Sequence, residues 1–121
     1  WEKSKTPVFV TENGWAGYND ARRAAFIREA LVALKREIDG GADVLGYLYW
    51  SLLDNFEWMS GFEPKFGLIG VDRGTQRRHV RASAVVLGDI ARRNTLAEED
   101  PAEAPASSYN QNAPGAQVGL G

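Results

Sequence analysis

Apolar and polar positions divide the chain into stretches of different period. Val8-Phe9-Val10-Thr11 stands behind Pro7 and runs into the polar Glu12-Asn13-Gly14. β-Branched and aromatic residues on consecutive positions predict a strand covered on both faces, as in a parallel sheet. Gly14 to Asn19 holds two glycines and an Asn and reads as loop. Ile27, Leu31, Leu34 and Ile38 then recur every three or four residues, the spacing of one helix face, with Arg28, Lys35 and Arg36 elsewhere. Asn19 or Asp20 can cap this helix, and Gly40-Gly41 stops it. Val44 to Trp50 (VLGYLYW) is a second, nearly continuous apolar strand. Ala82 to Arg93 predicts a last helix, with Val85, Val86 and Ile90 facing inward.

Strand, helix and strand in that order, with a connection of this length, make one βαβ unit and place the chain in the α/β class. Ser51 to Asp72 has no helical period and carries Trp58, Phe62 and Phe66, with a short strand predicted inside Phe66 to Val71. Segments this long without regular structure are uncommon in a compact domain and are usually functional. From residue 95 the composition turns to Ala, Pro, Gly and acid, so residues 95–121 read as a disordered tail behind a folded part covering 1–94.

Composition narrows the function classes. A hydrophobic share of 44% with 25% charged residues describes a soluble globular protein. A net charge of −2 argues against a nucleic-acid or polybasic membrane binder. Zero cysteines exclude disulfides and thiolate metal sites, and a lone histidine, His79, speaks against a metal centre. No Gly-rich phosphate loop is present, so no cofactor is expected. No apolar run approaches the ~20 residues of a membrane span. The chain starts at Trp1 without an apolar leader or an initiator Met, as a piece of a longer protein would.

Glu12 is the first candidate for chemistry. A carboxylate at the C-terminal end of a parallel strand is where α/β barrels place their catalytic groups. Position alone fits a solvated strand-end Glu or a helix-capping partner equally well. Trp50, Glu57, Trp58 and Phe66 are the second candidate. Aromatic faces around an acid offer stacking surface and a hydroxyl acceptor, which is how a sugar ring is held. Any one of these aromatics alone would be core; clustered in a long loop beside an acid, they point to a site.

"TENG", followed after a helix by "GYLYWSLLDNFEWMSGFEPKFGLIGVD", resembles the C-terminal part of glycoside hydrolase family 1, the β-glucosidase family. The resemblance runs from about Pro7 to Asn94, and "WSLLDNFEW" with the following "FGL" and "VD" is its specific part. Asp20 and Arg23 fit the start of the intervening helix, and Arg78 with Ser83 fits the approach to the last one. The departures are a short loop after Gly14, Ala30 where the family often has His, and Arg81 where Lys is usual.

The resemblance implies the last two βα units of a TIM (β/α)8 barrel. It implies that Glu12 is the nucleophile of a retaining hydrolase, forming a covalent glycosyl-enzyme. Trp50 would be the platform under the sugar, followed by a non-proline cis peptide. Glu57 would accept from the 4- and 6-hydroxyls, Trp58 would donate to the 3-hydroxyl, and Phe66 would close the wall. A carboxylate at the 6-position repels phosphate, so an unphosphorylated hexoside is the expected substrate. The acid/base glutamate sits in an Asn-Glu-Pro context in this family, and no Asn-Glu-Pro occurs here. The remainder of the barrel is therefore the expected partner. Bacterial relatives suggest the cytoplasm. A sugar-binding or assembly module without chemistry is the competing reading, and a truncated product that never folds is a third.

Overall fold

The computed structural model describes residues 5–96. Strand β1 (Val8–Val10) is followed by helix α1 (Asp20–Asp39) and strand β2 (Val44–Tyr47). β1 and β2 pair in parallel, with Phe9 opposite Gly46 and Val10 opposite Tyr47. This is the βαβ unit expected from the period of the chain. The Asn19 side chain caps α1 by accepting from the Arg22 N–H at 3.1 Å. At the other end the Gly40 N–H returns to the Arg36 carbonyl, and Gly41 takes φ +95.

Regular β2 geometry ends at Tyr47 and not at Trp50, yet the two strands stay together further along. The Leu48 N–H bonds Val10 O at 2.8 Å, and the Trp50 N–H bonds Asn13 O at 3.0 Å. The peptide after Trp50 is cis, as the resemblance implies.

Beyond it, a 3-10 turn covers Trp58–Ser60, and a hairpin of β3 (Ile69–Val71) and β4 (Arg78–Val80) follows. β4 is an element the sequence pattern does not announce, because all its residues are exposed and none marks an inner face. Helix α2 (Ala82–Arg93) ends at Asn94, which adopts the left-handed conformation that closes helices.

Ala24, Ile27, Leu68 and Ile90 form the apolar centre where α1, α2 and the start of β3 meet. The expected inner face of α2 needs one correction: Val85 is 54% exposed, while the polar Ser83 is fully buried. The reason is Asp20 of α1. Its carboxylate accepts from the Ser83 N–H at 2.9 Å and from the Ser83 hydroxyl at 2.6 Å, and so supplies from another helix the cap that α2 lacks. On the sheet, Phe9, Leu45 and Leu48 are largely exposed, so its apolar surface is uncovered by the described residues. No helix among them is long and apolar enough to cross a membrane. The tail expected over 95–121 lies, from residue 97 on, outside the described residues.

Candidate active site

Because β1 and β2 are parallel neighbours, their C-terminal ends open on the same side. Glu12 follows β1 there as an exposed residue, and its side chain makes no hydrogen bond or ion pair among the described residues. Its neighbours are firmly placed. Asn13 gives its carbonyl to Trp50 and its side-chain oxygen to the Tyr47 hydroxyl at 2.8 Å. Burial pushes the Tyr47 hydroxyl up to about 12, so it stays protonated at neutral pH and remains a donor to Asn13. Gly14 lets the two segments meet: a Cβ there would fall 1.8 Å from the Trp50 carbonyl oxygen and 3.3 Å from the Phe66 ring. Only a glycine fits.

Trp50 joins the two candidate groups. Its indole N–H donates to Glu57 Oε1 at 3.3 Å. Phe66 comes back to the same place, its carbonyl 3.5 Å from the Ser51 N–H. Trp50, Glu57 and Phe66 are thus brought together beside the segment that carries Glu12. Trp58 stands further out, 81% exposed at φ +51, and its indole makes no hydrogen bond among the described residues. Around it, Met59, Phe56 and Phe62 continue an exposed apolar rim, with Phe56 and Phe62 edge to face at 5.3 Å.

Two buried ionic clusters accompany this face, and the linear sequence does not show their pairing. Arg23 is fully buried. It donates to Asp20 Oδ1 at 2.6 Å, to the Gly17 carbonyl at 2.5 Å and to the Lys65 carbonyl at 2.7 Å, with its guanidinium 5.7 Å from the Trp15 ring centroid. One side chain thereby ties the loop after Glu12 to the loop before Phe66. Burial works against the Asp20 charge, but the Ser83 bonds and Arg23 outweigh it and hold the carboxyl below its ordinary 3.8. The second cluster joins Asp54 and Arg81 through two bonds of 3.0 and 2.8 Å. The Asp54 carboxyl is also lowered: burial opposes its charge, and Arg81 with the Gly67 N–H more than compensates. Among the described residues no group of three or more His, Cys, Asp or Glu could hold a metal ion.

The family model for glycosyl hydrolase family 1 matches residues 2–96. A β-galactosidase of Saccharolobus solfataricus is 42% identical over 99 residues, which cover 82% of this chain and 20% of that protein. Beta-glucosidase A of Enterobacter agglomerans is 37% identical over 110 residues, covering 82% and 23%. A solved β-glycosidase from Pyrococcus horikoshii superposes with a TM-score of 0.79 at 43% identity, covering 82% of this chain and 23% of that one. The chain thus spans about a fifth of the length of the curated relatives it matches. Its fold is the C-terminal portion, the last two βα units, of a TIM (β/α)8 barrel. The chain belongs to glycosyl hydrolase family 1.

Proposed function

We propose that the chain is the nucleophile-bearing part of a retaining β-glycosidase of the β-glucosidase type. The observation that carries the reading is the junction of the two strand ends. The Trp50 N–H is held on Asn13, next to Glu12, while the Trp50 indole is held on Glu57. A sugar lying on Trp50 would have one carboxylate on the side of its anomeric carbon and another beside its hydroxyls. Glu12 attacks the anomeric carbon, the C1–O bond to the leaving group breaks, and water later releases the sugar with its configuration retained. Glu57 accepts from the 4- and 6-hydroxyls, Trp58 donates to the 3-hydroxyl, and Phe66 closes the wall. The Glu57 charge favours an unphosphorylated hexoside. The general acid comes from the remainder of the barrel, whose strands would also cover Phe9, Leu45 and Leu48. A cytoplasmic enzyme without a metal or cofactor completes the proposal.

The test uses a complete barrel in which residues 5–96 replace the matching segment of the Saccharolobus relative. Glu12→Gln should lower turnover of nitrophenyl β-glucoside and β-galactoside by on the order of 10⁴-fold or more. Azide should restore part of it and yield a glycosyl azide of inverted configuration. Undiminished turnover in Glu12→Gln would remove the nucleophile assignment. Binding of the sugar without turnover of either substrate, whether or not Glu12 is present, would favour the binding-module reading.

A further inference from the structure

We propose that the Asp54–Arg81 pair is a positioning device for sugar selectivity: it holds both roots of the loop that presents Glu57. The inference rests on the reading of Glu57 as an acceptor for sugar hydroxyls.

The loop tip is tied mainly to itself. Glu57 N–H bonds Gly61 O at 2.6 Å, Ser60 N–H bonds Glu57 O at 3.0 Å, and Gly61 N–H bonds Trp58 O at 3.0 Å. Across to the body of the chain, Glu57 has one contact among the described residues, 3.3 Å to the Trp50 indole, and further along the loop Glu63 accepts from the Tyr18 hydroxyl at 3.4 Å. Where such a tip sits depends on its roots. Asp54 is in the outgoing root, three residues before Glu57, and Gly67 is in the returning root, directly after Phe66.

The pair grips both. Asp54 and Arg81 side chains are 4% and 14% exposed, and charges so buried persist only when fully partnered. Asp54 Oδ1 accepts from Arg81 Nη1 and the Gly67 N–H (2.9 Å); Oδ2 accepts from Arg81 Nη2 and, at 3.4 Å, the Val71 N–H. Arg81 Nη1 also donates to the Gly67 carbonyl. Arg73 reinforces the outgoing root, donating to the Asp54 carbonyl at 2.8 Å with its guanidinium 4.0 Å from the Phe62 ring centroid. Arg81 itself is the residue from which α2 starts, its N–H on Leu68 O at 3.0 Å. Glu57 is therefore placed relative to a helix.

A purely structural pair and a positioning pair differ in what their loss does to different sugars. In the complete barrel described above, the measurement is kcat/KM for nitrophenyl β-glucoside divided by that for nitrophenyl β-xyloside, which lacks the C6 hydroxymethyl group. Arg81→Gln and Asp54→Asn should each lower that ratio about tenfold, the scale of one charge-assisted hydrogen bond. The xyloside keeps its 4-hydroxyl contact with Glu57, so its kcat/KM should fall as well, but less than that of the glucoside by that factor. Glu57→Gln should lower the ratio at least as far. Ile27→Val, which loosens the buried centre of α1, should lower the melting temperature with the ratio unchanged. An unchanged ratio in Arg81→Gln and Asp54→Asn, beside a lowered one in Glu57→Gln, overturns the proposal and spares the reading of Glu57. An unchanged ratio in Glu57→Gln overturns both. A ratio that falls equally in Ile27→Val makes the effect one of stability and also overturns the proposal.

Discussion

From Val8 to Tyr47 the chain is held by regular backbone pairing: a parallel ladder, a twenty-residue helix, and caps made by Asn19 and Gly40. From Ser51 to Arg81 repeated structure is scarce, and buried side-chain charges on backbone groups take over. Asp54 alone holds Arg81, Gly67 and Val71. Arg23 reaches out of the first region to bind Lys65 of the second. The difference has a functional sense. Regular pairing places Glu12 and Trp50 at the ends of neighbouring strands, where periodicity does the work. The long loop must present Glu57 and Phe66 in an irregular geometry, and there each backbone group needs its own partner.

The comparison can be broken hardest at Arg23. Arg23→Met takes one donor each from Asp20, Gly17 O and Lys65 O, although Asp20 keeps Ser83 and Lys65 O keeps the Gly17 N–H, and breaking a buried pair costs about 3–5 kcal/mol. Chemical unfolding of the complete barrel measures it, and a loss below about 1 kcal/mol would show that the two regions are independently held.

Gly67→Ala comes next. A Cβ there would stand 2.3 Å from Asp54 N and 2.6 Å from Ile69 O, both backbone atoms that have no room to move away. The cost belongs at the upper end of the ~1–3 kcal/mol of overpacking. Proteolysis should then cut first within 51–67, and a cut within α1 would contradict this.

Acid is a smaller and graded probe. Asp20 and Asp54 have folded values below their ordinary 3.8. Such groups add stability that is complete above the ordinary value and lost as pH falls through the folded one. Melting temperatures should hold from neutrality to about pH 4 and fall below it, with the fall reduced in Asp54→Asn. A fall of the same size in that variant would remove Asp54 from the account.

The smallest effect is expected in the regular region: Lys35→Ala removes an exposed i,i+4 pair with Asp39 and should change stability by within about 0.5 kcal/mol.

Legibility in the sequence follows the same division. The stripe Ile27, Leu31, Leu34, Ile38 and its flanking Asn19 and Gly40 announce α1 almost to the residue, because period and capping are local. The parallel pairing of β1 with β2 follows from their apolar character and the helix between them. Val85 reads as inward by its spacing yet lies exposed, since a valine at helical spacing cannot reveal that a serine two residues earlier is buried by Asp20, 63 positions away. β4 escaped because Arg78, His79 and Val80 are all exposed and show no inner face. At the candidate site, Trp50, Glu57 and Phe66 were legible as aromatics around an acid within one long loop. Arg23 and Arg81 are visible there only as positions of the family pattern and Asp54 only within "WSLLDNFEW"; their burial and pairing are not, since a charged residue in a charged sequence looks solvated until folding encloses it. The exposed position of Trp58 is likewise a product of the turn at Trp58–Ser60, which no pattern in the sequence encodes.

The central claim is that Glu12, and not Glu57, bonds to the sugar. A dinitrophenyl 2-deoxy-2-fluoro-β-glucoside tests it, because the fluorine slows both steps and the leaving group needs no protonation, so the glycosyl-enzyme accumulates. Incubated with the complete barrel, it should release one dinitrophenolate per active site. After digestion, the peptide containing Glu12 should carry the mass of one fluorosugar, absent in Glu12→Gln. A label found on Glu57, or on any carboxylate other than Glu12, would contradict the account.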